Sequence, residues 1–492
     1  MLPTLRAIVE RHSIPPARLP DVLESIEDSL QYECRGESGG VANDPYCHEV
    51  AEWLRALTPS DFMGRLKAVI GKDPWHHSVR EEVSGIPSEI LPLAEDLGSD
   101  PARFEAVLPY LNSPDARSAG LLGQAIARQD AEGRHLDRIL AAAAENGSSA
   151  LACGYVAGLL ATYPNHAERL NVWLDGLEER SPELAYFVSL SAPDFARPLE
   201  RTLRLIGKGK LPVQFLQNFI ASVLLDRMSS DELKTVLDLL VRAADPESLH
   251  IAVDFVGHCV QKGRVDDPAE REAMWRALEA SAPVEDRAHH WWIQAVQRFT
   301  ADEPLRACEV AIRALTGDDL EKRNLAWSVL SSIAATKPDL VMEKVGQVLL
   351  IPEHGWRLQM PARPGLFQSL PLETLRRWMS EDGVERARVI ANQLRPPSVD
   401  ADGKPQVPPL TEFVLTNWGD DDIVFRRFAA STRNGQWYTG DIASAHRREA
   451  DRARAFLSHP IAAIRKWAEY EVARGEQQAK DWTIEMEESV LH

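Results

Sequence analysis

Cationic and large aromatic side chains crowd into one stretch of this 492-residue sequence. Residues 426–466 hold nine Lys and Arg (positions 426, 427, 433, 447, 448, 452, 454, 465 and 466) against three acids, Asp441, Glu449 and Asp451. Phe428, Trp437 and Tyr438 lie among them, the last two in a glycine-flanked segment, residues 434–440. Trp, Tyr and Arg dominate protein-binding hot spots, because they bring large contact area and directed hydrogen bonds at modest entropic cost. The same residue types stack on bases and hold phosphates. Arg426, Arg427, Trp437, Tyr438, His446, Arg447 and Arg448 are therefore the candidate partner-binding residues. The plainer reading packs Trp437 between helices and pairs the arginines with nearby acids.

Other groupings point less clearly to chemistry. Cys34, Cys47 and His48 could hold zinc together with His76 or His77. Structural zinc sites use closely spaced ligand pairs, and Cys34 and Cys47 are thirteen apart. A buried thiol and surface imidazoles are the expectation there. Gly207-Lys-Gly-Lys210 lacks the spacing of a phosphate-binding loop and the strand that precedes one; it reads as an inter-helix loop. His289-His290-Trp291-Trp292 reads as a helix that buries one Trp and turns its polar residues to water. No nucleophile elbow, H-E-x-x-H or paired Cys/His nucleophile signature occurs. The sequence thus assigns no catalytic residue, metal or cofactor, and the expectation is that the protein is not an enzyme. Five scattered cysteines argue against a disulfide framework. Cys153, Cys259 and Cys308 read as small core residues.

The formal net charge is −19, which disfavours a general nucleic-acid binder, since affinity for phosphates comes largely from cations. The charge is uneven: −18 over residues 1–355, +4 over 356–466 and −5 over 467–492. No run approaches the roughly 18 apolar residues of a membrane span. The start lacks a signal peptide's layout, so a cytoplasmic location without membrane contact is expected.

These residues need elements to position them, and the pattern is helical almost throughout. Leu233, Val236, Leu237, Leu240 and Val241 fall on one helical stripe. Helix starts are marked at Ser113-Pro114, Ser229-Ser230-Asp231-Glu232, Asp245-Pro246, Asp319, residues 420–422 and Ser458-His459-Pro460, each offering a capping oxygen, a first-turn proline or a first-turn acid. The first of these predicts a helix over 116–128. A phrase Arg-x-x-Ala recurs at Arg323–Ala326, Arg426–Ala429 and Arg465–Ala468. Small residues on presumed inner helices, Gly120, Gly154, Ala252, Ala326, Ala429 and Ala468 among them, imply one helix pair per roughly 35–40 residues. Four segments follow: 1–110, an atypical helical cap or small domain; 111–350, repeats; 351–411, proline-rich and irregular with one or two helices, 395–411 being the clearest linker or long loop; and 412–492, further repeats with an acidic tail.

Asp319 and Asp422 each stand four residues before the arginine of the phrase. This Asp-x-x-x-Arg-x-x-Ala pattern, with proline-marked partner helices, resembles HEAT and armadillo-like repeats. The match covers 318–334, 420–430 and 459–474 well, other stretches loosely, and the first 110 residues not at all. The resemblance implies an all-α solenoid of antiparallel helix pairs, a right-handed superhelix, and Asp and Arg positions that tie successive pairs together. It also implies a scaffold or sensor that binds a protein partner. A weaker resemblance, carried by Phe425 to Ala468, is to the helical-repeat arms of bacterial antiphage or conflict proteins, and implies a role as a component of such a system. Some HEAT-like proteins are DNA glycosylases, which keeps a nucleic-acid-binding enzyme as the alternative.

Overall fold

The computed structural model describes residues 18–32, 45–74, 82–83, 86–146, 148–192, 197–220, 224–284, 289–317, 319–351, 366–400, 402–431 and 441–491. The fold is all-α: apart from two antiparallel strand pairs of two residues each, the described elements are helices. The pairs are β1 (Glu82–Val83) with β2 (Ile86–Pro87), and β3 (Ser398–Val399) with β4 (Pro405–Gln406). The second pair lies inside the stretch read as a long loop. Asp400 builds it, accepting hydrogen bonds from the backbone N–H groups of Asp402 and Lys404 and from Gln406 Nε2, while Gly403 takes a φ of +76°. An aspartate-organised turn of this kind leaves no apolar alternation to read.

The chain divides into two compact units, Met1–Phe215 and Leu216–His492. In the first, α1 (Leu19–Tyr32) and α2 (Pro45–Leu57) share a small core around Ile26 and Val50. The rest is α3 (Phe62–Ile70), α4 (Leu91–Ser99), α5 (Pro101–Leu111), α6 (Ala119–Gln129), α7 (Leu136–Asn146), α8 (Ala150–Thr162), α9 (Ala167–Arg180), α10 (Pro182–Leu190) and α11 (Pro198–Gly207). One buried cluster runs through it from Leu66 to Ala192. Helices pack on their sequence neighbours and also on the next but one: α4 on α6, α5 on α7, α6 on α8, α8 on α10. The crossing of α6 and α8 is very close. A Cβ placed on Gly154 would collide with the Gly120 carbonyl, so these two small residues are needed where the backbones meet.

The second unit repeats that scheme. It comprises α12 (Leu224–Arg227), α13 (Ser230–Ala243), α14 (Pro246–Gln261), α15 (Pro268–Ser281), α16 (His289–Thr300), α17 (Pro304–Thr316), α18 (Leu320–Ala334), α19 (Pro338–Leu349), α20 (Leu366–Ser369), α21 (Leu372–Met379), α22 (Gly383–Ile390), α23 (Pro409–Trp418), α24 (Asp422–Ser431), α25 (Ile442–Arg454) and α26 (Ala462–Leu491). From α13 to α19 each helix packs on the next but one in turn, and α22 on α24 does the same. Three glycines form sockets for tryptophans of a later helix: Gly257 for Trp291, Gly346 for Trp378, Gly383 for Trp418.

Polar ties recur at the same spacing. Arg138 pairs with Glu105, 33 residues back, and Trp173 Nε1 donates to Asp137, 36 back. In the second unit Arg306 reaches Glu272 (34), Lys344 Glu309 (35), Thr374 Asp339 (35) and Arg388 Asp421 (33). Lys322, fully buried, donates Nζ to the carbonyls of Ser281 (2.7 Å) and Val284 (2.8 Å) in the turn after α15. The Lys322 bonds satisfy carbonyls that would otherwise be desolvated without partners, whereas Glu105, Asp137, Glu272, Glu309 and Asp339 keep much of their exposure and their ties are surface pairs.

The helix starts follow the sequence signals. Ser229 and Glu232 form a reciprocal capping box on α13, and the side chains of Asp245 and Asp319 cap α14 and α18. Leu233, Val236, Leu237 and Leu240 are fully buried and Val241 partly so. The helix expected from Ala116 begins at Ala119, because the preceding residues turn so that Ser118 can donate to the Lys72 carbonyl. Among the described residues no helix is long and apolar enough to cross a membrane.

The crowding at Gly154 gives a prediction. Gly154→Ala is expected to cost about 2–3 kcal/mol in chemical denaturation, because backbone rather than a flexible side chain must move. Gly176→Ala, on an open face of α9, should instead be neutral or stabilising by up to about 1 kcal/mol.

Candidate partner-binding site

Apart from residues 432–440, which lie outside the described residues, the basic stretch falls on α24, α25, the turn after α25 and the start of α26. Asp441 opens α25 by accepting from the backbone and hydroxyl of Ser444; the Ser444 hydroxyl holds its carboxyl below the usual range. His446, Ala450 and Ala453 then fall on the buried stripe of α25, which packs along α26. That register turns Arg447, Arg448, Asp451, Arg452 and Arg454 outward.

The seven candidate residues separate into distinct roles. Arg447 and Arg448 are exposed on α25. Arg426 is exposed on α24, where its Nε donates to the Asp422 carbonyl of the same helix. Arg427 is half-buried and donates to the Arg388 carbonyl (2.9 Å), tying α24 to α22. His446 is 5% exposed and lies 3.6 Å from Glu449. Trp437 and Tyr438 lie outside the described residues. The structure therefore brings Arg447 and Arg448 to one surface and assigns Arg427 and His446 to packing. Phe428 is also core: it is fully buried and lies tilted against Trp467, which meets Phe456 in turn.

Residues that sequence spacing did not single out complete this surface. Arg447 donates to Thr483 on α26 (3.2 Å), and Arg454 pairs with Asp451 and with Glu476 of α26. With Lys480 these groups line an open cleft of about 450 Å³. The 36-residue separation of Arg447 and Thr483 hides the pairing from local pattern reading.

The recurring Arg-x-x-Ala phrase carries packing through its alanines: Ala326 and Ala468 are fully buried and Ala429 nearly so. Among the described residues, two of its arginines bond locally where ties between helix pairs were expected. Arg465 donates to the carbonyls of His459 (2.6 Å) and Pro460 (2.9 Å) in the turn before α26, and Arg426 bonds within its own helix. Neighbours in sequence, Lys322 and Arg427, make the longer reaches.

The remaining groupings resolve into structure. Lys208 and Lys210 are engaged by Glu178 and Glu179, so Gly207–Lys210 is an inter-helix loop. Trp292 is buried, and Trp291 lies half-buried against His258, ring centres 4.8 Å apart. Cys259 and Cys308 are buried thiols that desolvation pushes up to about 12, and desolvation also raises the half-buried Cys153. Cys47 is buried but disulfide-bonded, which corrects the expectation of a thiol there. Cys34, His76 and His77 lie outside the described residues.

No family model matches the chain, and no curated protein matches it. The crystal structure of an engineered protein aligns over 96% of this chain and 98% of its own length, at 12% identity and a TM-score of 0.21. That likeness is too slight to carry an argument about fold or function.

Asp421 lies just before α24. It accepts from the N–H groups of Ile423 and Val424 at the start of α24 and pairs with Arg388 on α22. The Arg388 guanidinium and then those N–H groups hold its carboxyl well below the usual range. A depressed carboxyl stabilises the fold above its unfolded pKa and loses that contribution as pH falls. Asp421→Asn should therefore lower the melting temperature at neutral pH, and the gap from the parent should narrow below about pH 4. A gap independent of pH would contradict this assignment.

Proposed function

We propose that the protein is a non-enzymatic helical-repeat scaffold of HEAT-like solenoid type, which binds a protein partner through the basic face of α25. The observation that carries the reading is the recurrence of next-but-one helix packing with polar ties some 33–36 residues apart. Stacked helix pairs that bury their faces on neighbours expose long surfaces suited to partner binding. The reading without catalysis is supported by where the reactive groups sit. Cys259 and Cys308 are buried with raised pKa, Lys322 is spent on packing, and Lys208 and Lys210 are paired with Glu178 and Glu179.

The test is affinity capture of the tagged chain from its native cells, with Arg447→Glu plus Arg448→Glu as comparator. One protein should copurify with the parent and fall by about tenfold with the variant, since rim charges steer association. Circular dichroism should show both equally folded. Capture unaffected by the reversal would contradict the α25 assignment. Tight, salt-sensitive DNA binding lost in the variant would favour the nucleic-acid alternative.

A further inference from the structure

The cleft between α25 and α26 holds cations in two different states. Arg454 is clamped by Asp451 on its own helix and Glu476 across the cleft. Arg447 donates to the neutral Thr483 hydroxyl, and neither it nor Lys480 forms a salt bridge among the described residues. Between them the floor is apolar, formed by the buried Ala450 and Ala479. The site is therefore a short apolar trough with one cation neutralised by its salt bridges and two, Arg447 and Lys480, outside any among the described residues.

We propose that this cleft receives a carboxylate side chain from an acidic segment of a protein partner, with Arg447 and Lys480 holding its oxygens. The assignment rests on the partner-binding reading above and adds the chemistry of what is bound. In water the two cations are hydrated at little cost. Once a partner covers the cleft they lose that water and need an anion in its place. A glutamate fits, because its methylenes lie on the alanine floor while its carboxylate reaches both cations. A phosphodiester chain fits poorly. It would carry a charge at every step past Asp451 and Glu476, towards a chain whose net charge is −19. A single carboxylate on a protein segment meets the cations without extending that repulsion.

The experiment is fluorescence anisotropy with the full chain and three labelled probes: a Glu/Ala peptide, a Lys/Ala peptide, and a single-stranded oligonucleotide of the same charge as the first. The Glu/Ala peptide should bind at low salt, the other two much more weakly. Arg447→Glu plus Lys480→Glu should weaken it by about tenfold or more. The milder Arg447→Gln plus Lys480→Gln should give an intermediate loss, which guards against a folding artefact. Arg313→Glu, an exposed cation on α17, should change little. Failure of the Glu/Ala peptide to bind, tighter binding of the oligonucleotide, or a loss equal in the α17 variant would each overturn the proposal. If a captured protein partner survived the Arg447 and Lys480 changes, the carboxylate assignment alone would fall and the scaffold reading would stand.

Discussion

A helix with one apolar stripe must bury it, and in this chain the packing is shared between the adjacent helix and the helix two places further along. Much else follows from that constraint. Next-but-one packing brings backbones together at fixed crossings, so glycine is required where α6 meets α8. The Gly257, Gly346 and Gly383 sockets meet the same need with the opposite device, a missing side chain on one helix filled by a tryptophan from another. The polar ties obey it too. Once stripes are buried at a regular spacing, the groups at their margins meet partners at that spacing, as Arg306 meets Glu272 and Lys344 meets Glu309.

This has a consequence for how charge is used. Arg201 and Glu178 form a buried pair, and Arg204 and Lys208 crowd the same carboxylate. Arg388 serves Asp421, and Arg264 serves the buried Glu270. Cations of this sort are part of the stack, and removing one partner strands the other in low dielectric. The outer face of α25 differs. Its histidine and alanines serve the packing, while Arg447 and Arg448 are left outside it. A surface whose cations hold no salt bridge among the described residues can offer them to a partner.

The sequence revealed what is local. Helix starts at Ser229, Asp245 and Asp319, the stripe on α13, the buried Trp292 and the buried thiols at 259 and 308 all depend on residues within a turn or two of one another. The expected small residues at 120 and 154 also proved to lie at a crossing. What could not be read depends on distant meetings. The reach of Lys322 to the turn after α15 spans about forty residues, and nothing in its surroundings marks it as the tie instead of Arg323 beside it. The split among the basic residues was hidden for the same reason. Only the register of α25 against α26 decides that His446 turns inward and Arg447 outward, and that Thr483 and Lys480 join it. The β3–β4 pair escaped notice because one aspartate, not a hydrophobic pattern, holds it.

The central claim is that stability is distributed among helix pairs held by near neighbours. Amide hydrogen exchange followed by mass spectrometry in rising sub-denaturing denaturant tests it most directly. The account predicts that protection is lost in steps, each covering a segment of about one helix pair or a few, with differing opening free energies along each unit. Loss of all protected amides together, at a single free energy across each unit, would contradict it.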